Sequence, residues 1–148
     1  MRLFLSTFLF LTFSVLFSTE AISQEIWKSL SNYSGVEVSY TYKLCSPNDR
    51  EQTLVLFRFT NTTDQTLQMF WSRKEFRNNI CYNCDVLNDS EHKFEIILSP
   101  GETVESDGTS LVNNALYVFS HFQKLVPGMS DSKLTSFEFV NVLVEEVE

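Results

Sequence analysis

Apolar and polar residues alternate with a period of two along several stretches of this chain, the pattern that turns one face of a β-strand toward a core and the other toward solvent. Val36, Val38, Tyr40, Tyr42 and Leu44 alternate with Glu37, Ser39, Thr41 and Lys43, which predicts a half-buried strand. Thr53 to Thr60 sets Val55, Phe57 and Phe59 on one side and Leu54 and Leu56 on the other, as a more central strand with two covered faces requires. Asn61-Thr62-Thr63-Asp64 reads as a turn, after which Leu67, Met69 and Trp71 alternate with Gln68, Phe70 and Ser72 in a third strand. A fourth runs from Lys93 to Leu98 into Ser99-Pro100-Gly101, where proline presets φ and glycine accepts a positive one. Thr103 to Glu105 makes a short fifth, and Ala115 to Phe122 and Leu134 to Val144 complete a set of about seven. Few windows carry a helical stripe, and only Glu25 to Ser31 reads as a short helix. Short strands separated by turn signals predict an all-β fold, an immunoglobulin-like antiparallel sandwich, with a small β-barrel as the alternative.

Two of these stretches carry a resemblance. Phe57-Arg58-Phe59-Thr60-Asn61-Thr62-Thr63-Asp64 followed by Leu98-Ser99-Pro100-Gly101-Glu102-Thr103-Val104 resembles the hydrophobic strand, N-T-T-D turn and L-x-P-G-E turn of bacterial extracytoplasmic immunoglobulin-like domains. The mature chain is similar to small secreted single-domain proteins of Bacteroidota of uncharacterised function. The resemblance implies the sandwich fold and no particular activity, because these motifs mark turns that recur across many functions. That group has a further cysteine near the region of Gly108, where this chain has Ser106, Thr109 and Ser110.

The first residues follow a different pattern. Arg2 precedes an apolar run from Leu3 to Phe17, and Ala21-Ile22-Ser23 places small residues where a signal peptidase cuts, before Gln24. The run is shorter than the roughly 20 residues of a membrane span, and no second run follows it. Residues 1–23 therefore read as a secretory signal peptide and 24–148 as one domain of about 125 residues, large enough to bury a core without metals or several disulfides. The protein is expected to be secreted or periplasmic, soluble once the leader is removed, and without a membrane span thereafter. Of 11 basic and 19 acidic residues, the leader holds one each, Arg2 and Glu20, so the net charge of −8 belongs to the domain. That field repels nucleic acid, and the densest basic stretch, Arg73, Lys74 and Arg77 mixed with Glu75, reads as a solvated rim.

Three cysteines follow the leader: Cys45 at the end of the first strand, and Cys81 and Cys84 in an aperiodic segment from Arg73 to His92. Exported cysteines are usually oxidised, and all three pairings are open. A bridge from Cys45 to Cys81 would close a loop of about 37 residues, worth about 4 kcal/mol by chain entropy, which favours Cys45 with one of the pair. Cys81-Tyr82-Asn83-Cys84 also has the spacing of thiol-disulfide exchange, but Asp85 to Asp89 offers no helix to lower a thiol pKa. Cys81, Cys84, His92 and Cys45 could form a Cys3His zinc site, although a second tight ligand pair is missing.

Other chemistry has no motif to stand on. His121 sits in a strand pattern, no G-x-S-x-G elbow occurs, and Gly35, Gly101, Gly108 and Gly128 form no phosphate-binding loop. No catalytic residue, metal site or cofactor is assigned, and an enzyme is not expected. Three matches to the N-glycosylation pattern, at Asn32, Asn61 and Asn88, are close to the number chance supplies. Trp27, Phe70, Trp71, Phe76 and Tyr82 are read mainly as core, with Phe76 and Tyr82 placed outside any strand as the contact residues of the long loop. The expected function is binding of an unknown protein or surface polymer through that loop; thiol-disulfide activity at Cys81/Cys84 or a Cys/His metal site is the alternative.

Overall fold

The computed structural model describes residues 25–147, so the leader over 1–23 and its cut before Gln24 lie outside the described residues. The described residues form nine strands: β1 (Lys28–Tyr33), β2 (Val36–Cys45), β3 (Gln52–Asn61), β4 (Leu67–Arg77), β5 (Ile80–Cys81), β6 (Lys93–Leu98), β7 (Thr103–Glu105), β8 (Tyr117–Phe122) and β9 (Leu134–Glu146). All pairings are antiparallel and fall into two sheets. In the first sheet, β3 holds β2 and then β1 on one edge, and β7 and β8 on the other. In the second, β4 is central, with β9 on one edge and β6 and β5 on the other. The chain changes sheet at β3 to β4, β6 to β7 and β8 to β9, which is the crossover logic of an immunoglobulin-like sandwich and not a closed barrel.

The inward sets of the two central strands make the core. Val55, Phe57 and Phe59 from β3 meet Leu67, Met69 and Trp71 from β4, with Val36, Val38, Phe94, Ile96, Leu98 and Val118 around them. Trp71 stacks between Phe59, Phe94 and Phe139, with ring centroids 5.0, 5.7 and 5.4 Å away. The opposite set of β3 is covered as the double-faced pattern required: Leu54 and Leu56 join Cys45 in a second cluster under Trp27, Leu111, Tyr117 and Phe119.

The N-T-T-D and S-P-G-E turns have a structural task. Asn61 is buried, and its Nδ2 donates to the carbonyls of Gln65, Leu98 and Ser99 while its Oδ1 accepts from the Thr63 amide. One side chain thus ties the sheet crossover to the end of β6. The Ser99–Glu102 turn closes as expected, with Gly101 at φ +71° and the Glu102 carboxylate accepting from the Ser99 amide.

Two expectations are corrected. Glu25 to Ser31 is no helix; Lys28 to Tyr33 is a strand, turned back onto β2 by Ser34 and Gly35, both at positive φ. The 73–92 segment is not one long loop either. β4 continues to Arg77, and Asn78 and Asn79, at φ +49° and +66°, make a two-residue hairpin turn into β5. Phe76 therefore lies within a strand, paired with Cys81 and Ser136.

Candidate functional site

The inward period of β4 does not stop at Trp71. Arg73, Glu75 and Arg77 continue it, so three charged side chains enter the open end of the sandwich instead of forming a solvated rim. Arg73 is 4% exposed, with its guanidinium 4.5 Å from the centre of the Phe94 ring and its Nη1 donating to the Asn114 carbonyl. Glu75 accepts from Arg73 at 3.3 Å and from Arg77 at 3.1 Å. Desolvation draws the Arg73 pKa down from its ordinary value, and the Glu75 carboxylate opposes that shift.

Arg77 joins the sheets. On β8, Thr53 pairs with His121 but Leu54 pairs with Phe119, so Ser120 is an extra residue, a bulge that interrupts the ladder. Arg77 crosses from β4 and donates to the Phe119 and Ser120 carbonyls at 2.9 and 3.3 Å, and to the Ser132 carbonyl at 3.3 Å. The same guanidinium sits 5.6 Å from the rings of Phe119 and Tyr82. A second bulge, at Thr135 on β9, locks the hairpin: its hydroxyl donates to the Phe76 carbonyl and accepts from the Asn79 amide.

The cysteines pair differently from the entropic preference. Cys81 and Cys84 form a disulfide where the chain leaves β5, while Cys45 is a free thiol on the outer face of the other sheet, beside Gly108. Chain entropy rewards a long loop only where the cysteines meet, and β2 carries Cys45 to the cluster with Leu54 and Leu56. Burial pushes the Cys45 thiol pKa up, partly offset by Lys43. Cys45 is thus not brought to Cys81, Cys84 and His92, and no group of three or more metal-capable side chains occurs among the described residues. Cys84 is followed by a single turn of 3₁₀ helix, Cys84–Val86, and not by the α-helix of a thioredoxin-type site.

Between the two cysteines, Asn83 and Tyr82 point opposite ways. Asn83 is buried; its Oδ1 accepts from the Glu75 amide, and its Nδ2 donates to the Arg73 carbonyl and lies 3.2 Å from His92 Nδ1. The Tyr82 amide donates to the Glu75 carbonyl, yet its side chain is 70% exposed. The loop is a stiff mount for one projecting aromatic ring. Asn83 and the Asn78-Asn79 turn were not singled out from the sequence, and Arg77 was read only as part of a solvated rim; adjacent asparagines after an apolar strand were the available signal, since they tolerate positive φ.

The ring overhangs a cavity of about 510 Å³ lined by Arg77, Phe119, His121, Phe122, Leu125 and Met129, with the 128–132 stretch on its far side. Several exposed apolar side chains lie at this end, Ile80 beside the hairpin turn, Leu125 and Val126 after β8, and Tyr42 and Leu44 in the last part of β2, while others such as Ile26, Ile97, Val112 and Leu143 lie elsewhere. Phe76 does not line the cavity. It is half-buried on the outer face of its sheet. Trp27 lies elsewhere, stacked 4.0 Å over Arg58.

Comparison with protein-family models, with curated proteins and with solved structures gives no match. No helix among the described residues is long and apolar enough to cross a membrane.

Proposed function

We propose that this protein is an exported binding module that recognises a protein or a surface polymer through the end of the sandwich where Tyr82 projects. The observation that carries the reading is the mounting of Tyr82: a large aromatic ring left in solvent while a disulfide, a buried asparagine and a half-buried arginine fix its base. Exposed apolar side chains that are scattered need no explanation, but a group on one end around a cavity marks a contact surface. Immobilising the ring before binding lowers the entropy cost of association. The sandwich supplies the rigid frame and its turns supply the contacts.

The test is retention on the envelope fraction of producing cells. Wild type is expected to be retained and Tyr82→Ala to lose at least about tenfold, the loss typical of one central aromatic contact. Phe76→Ala, on the other face of β4, is expected to bind like wild type. Equal retention of wild type and Tyr82→Ala contradicts the reading.

A further inference from the structure

Asn83 fills a gap in a ladder. β6 begins its pairing with β4 at Lys93 opposite Ser72, and β5 ends at Cys81 opposite Phe76, which leaves the Arg73 carbonyl and the Glu75 amide between them. The Asn83 side chain takes both, at 2.8 and 2.9 Å. A carbonyl only accepts and a backbone amide only donates, so the carboxamide has one orientation, with Oδ1 on Glu75 and Nδ2 on Arg73. The second hydrogen of Nδ2 is then left for His92 Nδ1, 3.2 Å away, and that bond exists only while Nδ1 keeps its lone pair. The neutral ring therefore carries its proton on Nε2, the nitrogen 3.5 Å from the Glu91 carboxylate. Resting on the binding-module reading above, we infer that His92 is a pH-sensitive latch on the Tyr82 mount: the neutral ring holds Asn83 in the gap, and the protonated ring releases it and weakens partner binding.

Uptake of one proton from solvent at Nδ1 sets an N–H against an N–H. Turning the carboxamide over gives no relief, because Nδ2 would then meet the Glu75 amide and Oδ1 the Arg73 carbonyl. Either the ring, its side chain 17% exposed, moves away or Asn83 leaves the gap. The charged groups around the ring set the direction. Among the described residues, Glu91 alone is within ion-pair distance; it is 74% exposed and draws the imidazolium toward solvent. Asp89 meets His92 through its backbone, the carbonyl accepting from the His92 amide, Asp85 stands exposed on the preceding turn, and Lys93 follows at the start of β6. On β4, Arg73 is turned onto the Phe94 ring, Lys74 alternates to the outer face, and Glu75 is held by Arg73 and Arg77, so that strand brings no spare carboxylate to the ring. The effect is local to the mount, since the Tyr82 amide donates to the Glu75 carbonyl at the edge of the same gap. The contact needs a neutral imidazole, so it is complete above the ordinary histidine range, about pH 6.5, and is lost as pH falls through it.

The experiment follows the oxidised protein at about pH 7.5 and about pH 5, on either side of that range. Nitrogen spectra of the His92 ring at the higher pH are expected to show Nδ1 unprotonated; a proton on Nδ1 there overturns the latch. Hydrogen exchange is read as protection factors, which remove the intrinsic pH dependence of exchange. Protection of the Glu75 and Tyr82 amides is expected to fall at least about fivefold at the lower pH, the fold-change of one lost hydrogen bond, while β3 amides keep theirs. His92→Gln, which offers a neutral acceptor at both pH values, is expected to keep its protection. Equal loss in wild type and His92→Gln, or no loss in wild type, overturns the latch. Envelope retention should fall with protection in wild type and hold steady in His92→Gln; retention that ignores pH while protection falls overturns the regulatory step. If Tyr82→Ala is retained like wild type at the higher pH, the binding-module reading fails, and the ring spectra and protection factors still decide the latch by themselves.

Discussion

Arg77 is the residue on which the open end of the sandwich depends. With its side chain only 13% exposed, it satisfies carbonyls freed by the Ser120 bulge and balances Glu75. Arg77→Met should therefore destabilise by about 2–4 kcal/mol, because it leaves the interrupted carbonyls without a donor and Glu75 with Arg73 as its remaining cation. Arg58→Met, which breaks the exposed pair with Glu105, should cost under about 1 kcal/mol. Urea denaturation of the two variants checks the contrast. Cys45 makes a second prediction. Its folded pKa is raised by burial, so the native state favours the protonated thiol; that contribution is complete below the unfolded value of about 8.5 and is lost as pH rises through the higher folded value. Tyr117 and Tyr42 are raised by burial as well and act in the same direction at higher pH. Stability should fall on the alkaline side, and Cys45→Ala should remove the earliest part of the fall in a pH series of denaturation midpoints. Gly108 has φ +77°, and an added Cβ would meet Cys45 Sγ inside contact distance, so Gly108→Ala should be destabilising in the same assay.

At the scale of elements, the hairpin from Arg73 to Cys84 has two fastenings of different reach. The disulfide closes a loop of only four residues and stabilises by about 2 kcal/mol on the chain-entropy model. Asn83 instead binds the hairpin tip to the β4 backbone. Asn83→Ala should raise amide exchange across 81–92 more than the Cys81→Ser/Cys84→Ser pair does, with the rest of the sandwich unchanged. The strands that build the frame were legible from period-two patterning, because their inward and outward sets face different solvents; the crossover turns were legible from Asn61 and Pro100-Gly101. The hairpin was not. β4 changes from apolar to charged residues at Arg73 while keeping its period, so a scale of hydrophobicity ends the strand at Ser72, short of Arg77. Buried ionic residues are rare enough that Arg73, Glu75 and Arg77 read as surface until the neighbouring strand is in place. The same blindness set the cysteines in a long loop and left Phe76 outside a strand. β1 was missed for a related reason: its Ser and Asn positions carry little apolar alternation, and its strand state comes from pairing with β2.

On the scale of the whole molecule, the contact residues of the proposed binding function are confined to one end. A sandwich with sheets tied by Asn61 at one crossover and by Arg77 at the other end has little need of a long-range disulfide, which frees the cysteine pair for a local role. The acidic excess surrounds this end with a negative field. All of this depends on which cysteines are joined, since a bridge from Cys45 would pull the hairpin tip off β4 and dismantle the mount under Tyr82. The most direct measurement is a non-reducing peptide map of the protein isolated without reductant, with alkylation before and after unfolding. The expected result is a Cys81–Cys84 linkage with Cys45 unmodified in the folded protein and fully alkylated once it is unfolded. A peptide linking Cys45 to Cys81 or Cys84 would contradict the account.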